Sequence, residues 1–188
     1  MSVVPTLAPA PTSAPMPIAA IDATEANLAM LAGILIDVVA DGGSVSFMHP
    51  LAPEAARSFW TGALAAAADG RRTVLGAWDG AVLAGTVTLL LDCPPNQPHR
   101  GEIAKLMVSP RYRGRGLALA LMREAEHLAL LHARTLLVLD TASEGGAAGF
   151  YEQLGYRLAG EIPGYALKPH GGLTGTKLYW KNLGADVE

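Results

Sequence analysis

The sequence predicts an α/β domain built on a mixed sheet, and three observations carry that reading. Residues 102–108 (E-I-A-K-L-M-V) form an apolar, strand-like run that passes through a basic, glycine-punctuated turn into a helical pattern over 116–134, followed by a second apolar run over 135–139. A strand, helix and strand of these lengths suit two parallel strands joined by a right-handed crossover. Asp79-Gly80 separates two further strand-like runs, the composition of a tight antiparallel hairpin. With 188 residues, 51% of them hydrophobic, the chain is about one domain long and able to bury a substantial core.

Residues 1–17 are rich in Pro, Ala, Ser and Thr and carry no charge. Prolines at this spacing interrupt helices and sheets, so a tail without fixed structure is expected. An amphipathic helix follows over 23–40, capped near Asp22 or Thr24 and closed by Asp41-Gly42-Gly43. Pro53-Glu54 opens a second helix that runs to Asp69 and ends at Gly70. In it Trp60, at helical spacing beside Ala56 and Leu64, reads as core. Strands are expected over 73–78 and 82–92, then a Pro-rich loop over 93–100. In the 116–134 helix Leu117, Leu121, Ala125, Leu128 and Leu131 recur at helical spacing, with Arg123, Glu124 and His127 elsewhere on the wheel. A helix from about Ala147 and a strand-like run over 175–180 complete the domain.

The turn before the long helix is an anion-binding construction. Gly114 and Gly116 let the backbone curl around a ligand, and free N–H groups at a helix start point at it with the positive end of the macrodipole. Arg111, Arg113 and Arg115 supply charge around the same turn, so the implied ligand is a diphosphate. A dinucleotide fold would continue G-x-G-x-x-G, whereas Gly116 is followed by Leu117, Ala118 and Leu119; a Walker loop would need G-K-[ST]. Neither fits.

The motif Arg111-x-x-Gly114-x-Gly116 on a strand-loop-helix unit, with the block from Ala147 to Tyr156 (A-A-G-F-Y-E-Q-L-G-Y), resembles the GCN5-related N-acetyltransferase (GNAT) family. The resemblance runs from about residue 18 to about 183 and implies a single domain there. Its fold would be a mixed, mostly antiparallel central sheet with a splayed parallel strand pair, flanked by helices. It also implies acetyl-CoA as co-substrate. Its diphosphate would lie on Arg111, Arg113, Gly114, Arg115, Gly116, Leu117 and Ala118, and its pantetheine arm would pair with backbone of Leu106, Met107 and Val108 and pass Ala147. Where the family often has an Asn contacting that arm, this chain has Glu144, and the neighbouring Ser143 is the candidate substitute. Tyr151 takes the family's general-acid role.

Within the family, Leu139-Asp140-Thr141, the segment 162–167 and Asn96-Gln97-Pro98-His99 resemble a bacterial small-molecule subgroup that includes the tabtoxin resistance acetyltransferase. That implies Glu102 and Asp140 as the base, directly or through water, and as a site for the substrate ammonium. A base is useful because an alkyl amine with a pKa of about 10.4 is neutral in only about one molecule in two thousand or fewer at pH 7. Phe47 and His49, in the loop between the first two helices, and Tyr165, in the Pro163-Gly164-Tyr165 turn, are the candidate substrate contacts. Plainer roles stand beside these: Glu102 as a solvent-facing strand residue, Asp140 as a cap for the following turn, Tyr151 as a core tyrosine and His49 as a packed histidine.

The remaining composition excludes other classes. A net charge of −3 argues against a broad nucleic-acid surface. The single cysteine, Cys93, excludes an intrachain disulfide and fits a reducing compartment. No Lys or Arg precedes Arg57, and no apolar stretch of spanning length is free of Gly, Pro or charge, so the cytoplasm is expected and a membrane partner is not. His99 and His170 have no companion at metal-ligand spacing, so no metal is expected, and a G-x-S-x-G hydrolase motif is missing. The reading is therefore an acetyl-CoA-dependent N-acetyltransferase acting on a small amine, amino-acid-like or antibiotic-like, as monomer or homodimer. The alternatives are acetylation of a protein or peptide amine, and a non-catalytic acyl-CoA sensor.

Overall fold

The computed structural model describes residues 16–145 and 147–184, so the tail expected over 1–17 lies almost wholly outside the described residues. Strand β1 (Ile18–Ala20) is followed by α1 (Glu25–Ala40), α2 (Pro53–Ala68), β2 (Arg72–Asp79), β3 (Val82–Leu90) and β4 (Arg100–Val108). A single 3-10 turn (Pro110–Tyr112) then leads to α3 (Leu117–Leu131), β5 (Leu136–Ala142), α4 (Ala148–Gln153), β6 (Arg157–Leu167) and β7 (Leu173–Asn182). Among the described residues the strands form one seven-stranded sheet in the order β1-β2-β3-β4-β5-β7-β6. Only β4 and β5 pair in parallel, as the crossover through α3 requires. The mixed, mostly antiparallel sheet is the one expected.

Local chemistry sets the helix starts. The Thr24 hydroxyl accepts the Asn27 N–H at 3.2 Å, capping α1, and Glu25 in its first turn faces the positive end of the dipole. Pro53 sits at the first turn of α2, where its missing N–H has no consequence. Helices α1 and α2 pack on one face of the sheet through Leu31, Leu35, Val39, Ala56 and Leu64 around Trp60, which is fully buried. Helix α3 covers the other face through Leu121, Met122, Ala125 and Ala129, joined by Tyr151 of α4. The central strand β3 is buried on both faces, which explains its near-continuous apolar sequence. Trp60→Ala is expected to lower unfolding stability by about 3–5 kcal/mol, the usual effect of emptying so large a core site; a denaturant titration reads it.

Strands β1 and β6 were not expected. The Pro163-Gly164-Tyr165 segment, expected as a turn, instead bulges within β6: Ile162 pairs with Thr176 and Ala166 with Thr174, so three residues of β6 oppose Gly175 alone. An edge strand tolerates this because it pairs on one side only. Gly175 is needed at that point, since a Cβ there would come within 2.9 Å of the Ile162 carbonyl and 2.7 Å of the Ser143 hydroxyl.

The geometry that opens a site lies in β4. Its pairing with β5 is limited to Arg100 with Leu136, Gly101 with Leu137 and Glu102 with Val138. On its other side, Thr86 pairs with Met107 but Thr88 with Ala104, so Lys105 and Leu106 together oppose Val87. This bulge puts Lys105 at φ 51°, in the left-handed region. Strand β5 meanwhile stays with β7 as far as Ala142 opposite Thr176. Beyond Glu102 the two parallel strands therefore part, and the β5-facing edge of β4 has no strand partner among the described residues.

Candidate active site

A cleft of about 540 Å³ fills the space where β4 and β5 part. Its walls are residues 103–106 of β4, 140–142 of β5, Tyr151 of α4, residues 165–167 of β6, 174–176 of β7 and the loop 42–47 that follows α1. Non-adjacent stretches of chain thus meet at one opening, held by the sheet register.

Asp140 stands in β5 opposite Leu178, not at a turn, and its carboxylate accepts the Thr176 hydroxyl at 3.1 Å. Tyr151 lines the same cleft, 8% exposed, with its ring against Phe150, Tyr156 and Tyr179. Burial, reinforced by the negative Asp140, pushes its phenol up to about 12. The phenol therefore stays protonated throughout the neutral range. Glu102 lies at the closed end of the strand gap, outside the cleft lining, and forms an ion pair with Arg100 at 3.2 Å. Gln97 accepts from the other side of Arg100 at 2.6 Å, so this guanidinium is fixed between two partners.

Phe47 and Tyr165 both line the cleft; Phe47 is braced edge-on by Phe59 at 5.2 Å, and Tyr165 is largely exposed. His49 is placed elsewhere, with its ring against His170 at 4.6 Å and its N–H donating to the Pro169 carbonyl at 2.9 Å. That contact ties the α1–α2 loop to the β6–β7 turn. Ala147 lines the cleft, as does Glu144, which pairs with Lys168 at 3.0 Å. The Ser143 hydroxyl is buried with no hydrogen-bond partner among the described residues, and the Ser143 backbone N–H donates to the Gly175 carbonyl at 2.9 Å.

Next to the cleft, the basic turn has the backbone its sequence anticipates. Gly114 and Gly116 lie at φ 74° and 76°, and Gly116 caps α3 without a side-chain bond. Among the described residues no acceptor takes the N–H groups of residues 116–119, where the turn opens the helix. These donors fan out at the start of a four-turn helix, with Leu117 and Ala118 in its first turn. Arg115 lies over the Tyr112 ring at 5.0 Å, Arg113 pairs with Asp41, and Arg111 borders a shallow depression with Asp37 and Asp41. The end of α1 and the loop after it border both this depression and the cleft, so turn and cleft are neighbours. On β4, Leu106 lines the cleft, Met107 is buried beneath α1 and α2, and Val108 packs toward α3.

Among the cleft residues to which the sequence reading gave no role are Lys105, Ser46 and Thr176. Lys105 alone left a trace there, as a charge in the middle of an otherwise apolar run. Its Nζ donates to the Ser46 hydroxyl at 3.1 Å. Burial lowers its pKa, opposed by the negative charges of Asp140 and then Glu102.

A glycine turn with free N–H groups at a helix start thus lies beside a gap between parting parallel strands that is lined by an acid and a protonated phenol. Residues 43–156, more than half of the chain, match the model of the acetyltransferase (GNAT) family, and the chain belongs to that family. Solved structures agree in fold. The ribosomal-protein-alanine N-acetyltransferase of Brucella melitensis is 23% identical with a TM-score of 0.73, covering 89% of this chain and 100% of its own. The Salmonella typhimurium protein yncA, solved with its cofactor acetyl-CoA, is 17% identical with a TM-score of 0.72, covering 92% of this chain and 96% of its own. An aminoglycoside 6'-N-acetyltransferase complexed with coenzyme A is 14% identical with a TM-score of 0.72, covering 92% and 100%.

Proposed function

We propose that this chain moves the acetyl group of acetyl-CoA to the amine of a small, amino-acid-like or antibiotic-like molecule. The observation that carries the reading is the cleft between β4 and β5, where Asp140 and Tyr151 meet beside the unsatisfied N–H groups of the glycine turn. Those N–H groups and the arginines around them suit a diphosphate. The unpaired edge of β4 at residues 106–108 suits the amide groups of a pantetheine arm, which would take the place of a missing strand. Acetyl-CoA would supply an activated thioester carbonyl.

The protein's own groups then divide the chemistry. Asp140, directly or through a water, takes a proton from the acceptor ammonium, and the freed nitrogen attacks the thioester carbon. As the carbon–sulfur bond breaks, the Tyr151 hydroxyl donates a hydrogen bond to the departing sulfur, and the proton shed by the nitrogen ends on the thiol. The departing thiolate, whose conjugate thiol has an ordinary pKa of about 8.5, is a weaker base than the Tyr151 phenolate of about 12 by roughly 5 kcal/mol. Tyr151 therefore acts by its hydrogen bond, with proton delivery coupled to bond cleavage rather than completed before it. Of the two acidic candidates, Asp140 is the base: it lines the cleft, whereas Glu102 is engaged by Arg100 outside it.

The test is thiol release from acetyl-CoA against a panel of small amines, amino acids, aminoglycosides and basic peptides, with products identified by mass. Acetylation of a small amine is the expected result. Acetylation of peptides alone would overturn the small-molecule reading, and tight donor binding with no turnover anywhere would favour a sensor.

A further inference from the structure

Lys105 holds its side chain in the cleft at a conformational cost. Three non-glycine residues among those described have positive φ, and two of them, Lys105 at 51° and Ser46 at 73°, meet in the hydrogen bond between Nζ and Oγ. Left-handed backbone at an ordinary residue persists where the surrounding structure imposes it, and it gathers at ligand sites. Here the bulge in β4 imposes it at Lys105. The ammonium lies 5.7 Å from the centroid of the Phe59 ring, and among the described residues only one of its three donors is used, in the bond to Ser46.

Asp140 lines the opposite strand of the same cleft, yet the two charges do not meet: among the described residues no carboxylate lies within ion-pair distance of Lys105. The other cleft-side lysine, Lys168, is already paired with Glu144. The cleft thus presents a carboxylate on β5 and a separate, part-buried ammonium on β4, each with hydrogen-bonding capacity to spare. Burial penalises the Lys105 charge, and a ligand anion would relieve that penalty.

We infer that Lys105 receives an anionic group on the acceptor, so that the substrate is a zwitterion whose amine faces Asp140 and whose carboxylate faces Lys105. The amino-acid-like branch of the acceptor class is thereby preferred over polycationic amines such as aminoglycosides, for which a cation in the cleft is repulsive. The inference rests on the acetyl-transfer reading for the role of the amine, while the carboxylate contact is measurable without turnover.

The experiment uses the full chain saturated with coenzyme A and titrates it calorimetrically with the common amino acids in their N-acetyl form and with the matching N-acetyl amides, in which the carboxylate is replaced by a neutral group. At least one acid is expected to bind at least about tenfold more tightly than its amide, the usual worth of a hydrogen bond to a charged group. Lys105→Met is expected to abolish the difference between acid and amide, and Lys105→Arg to keep most of it. In parallel turnover assays with the free amino acids, the loss in Lys105→Met should fall on KM more than on kcat. Acids binding no better than amides, or a preference that survives Lys105→Met, would overturn the inference. Absence of thiol release from every amine would overturn the transferase reading instead and leave the acid–amide comparison standing.

Discussion

Replacing Tyr151 by phenylalanine is expected to lower kcat by about 10²- to 10³-fold, the usual effect of removing one well-placed donor from a developing negative charge. Only the hydroxyl is lost; the ring keeps its contacts with Phe150, Tyr156 and Tyr179, so the fold and donor affinity should hold. The pH profile gives a second readout. Because the phenol ionises only at about 12, Tyr151 contributes no alkaline fall in rate at ordinary assay pH. It does contribute to alkaline unfolding. The unfolded chain releases the proton near the ordinary value of about 10 and the folded chain near 12, so the associated stability is present below pH 10 and is lost between about 10 and 12. Tyr151→Phe removes that share of the alkaline limb. An unchanged kcat would show that the phenol only fills space.

Asp140→Asn is expected to lower kcat/KM by about 10²- to 10⁴-fold, the range for loss of a general base. Asparagine keeps the shape and can still accept the Thr176 hydroxyl, so the β5 to β7 register should be intact. Without the base, the rate should follow the fraction of neutral amine in solution, rising about tenfold per pH unit until the amine's own pKa, about 10.4 for a lysine-like acceptor. Glu102→Gln is the matched comparison. With its carboxylate bound to Arg100 outside the cleft lining, Glu102 should matter much less, and a larger loss there than at Asp140 would reverse the assignment.

The parts of this site that were legible in the sequence are those set by neighbouring residues. The Arg111, Gly114 and Gly116 turn could be read because positive φ at two glycines and a helix start are local requirements, and the Tyr151 block was picked out by its resemblance to the family, carried by a contiguous run of residues around one short helix. The antiparallel hairpin at Asp79-Gly80 and the parallel pair around α3 followed from turn chemistry and periodicity. Strand β1 escaped notice because three residues carry no periodic signal, and β6 because Pro163-Gly164 interrupts its alternation and most of it is exposed. Lys105 was missed for a different reason. In a regular strand it would face away from Glu102, and only the bulge against β3, fixed by distant pairing, turns it into the cleft. The Thr176 contact with Asp140 likewise depends on the β5 to β7 register, and the placement of His49 beside His170 depends on a loop packing against the far end of the chain.

That the glycine turn and the parted strands together hold the acyl donor is tested by a calorimetric comparison of acetyl-CoA with S-acetyl-pantetheine, which carries the same thioester and arm without the diphosphate and the phosphoadenosine beyond it. Loss of even two charge-assisted hydrogen bonds, at about 1.5 kcal/mol or more each, should weaken binding by about 10²-fold or more. Saturable binding of acetyl-CoA and that large loss for the truncated donor are the expected results. Equal affinity for the two, or no binding of acetyl-CoA, would contradict that mode of holding the donor.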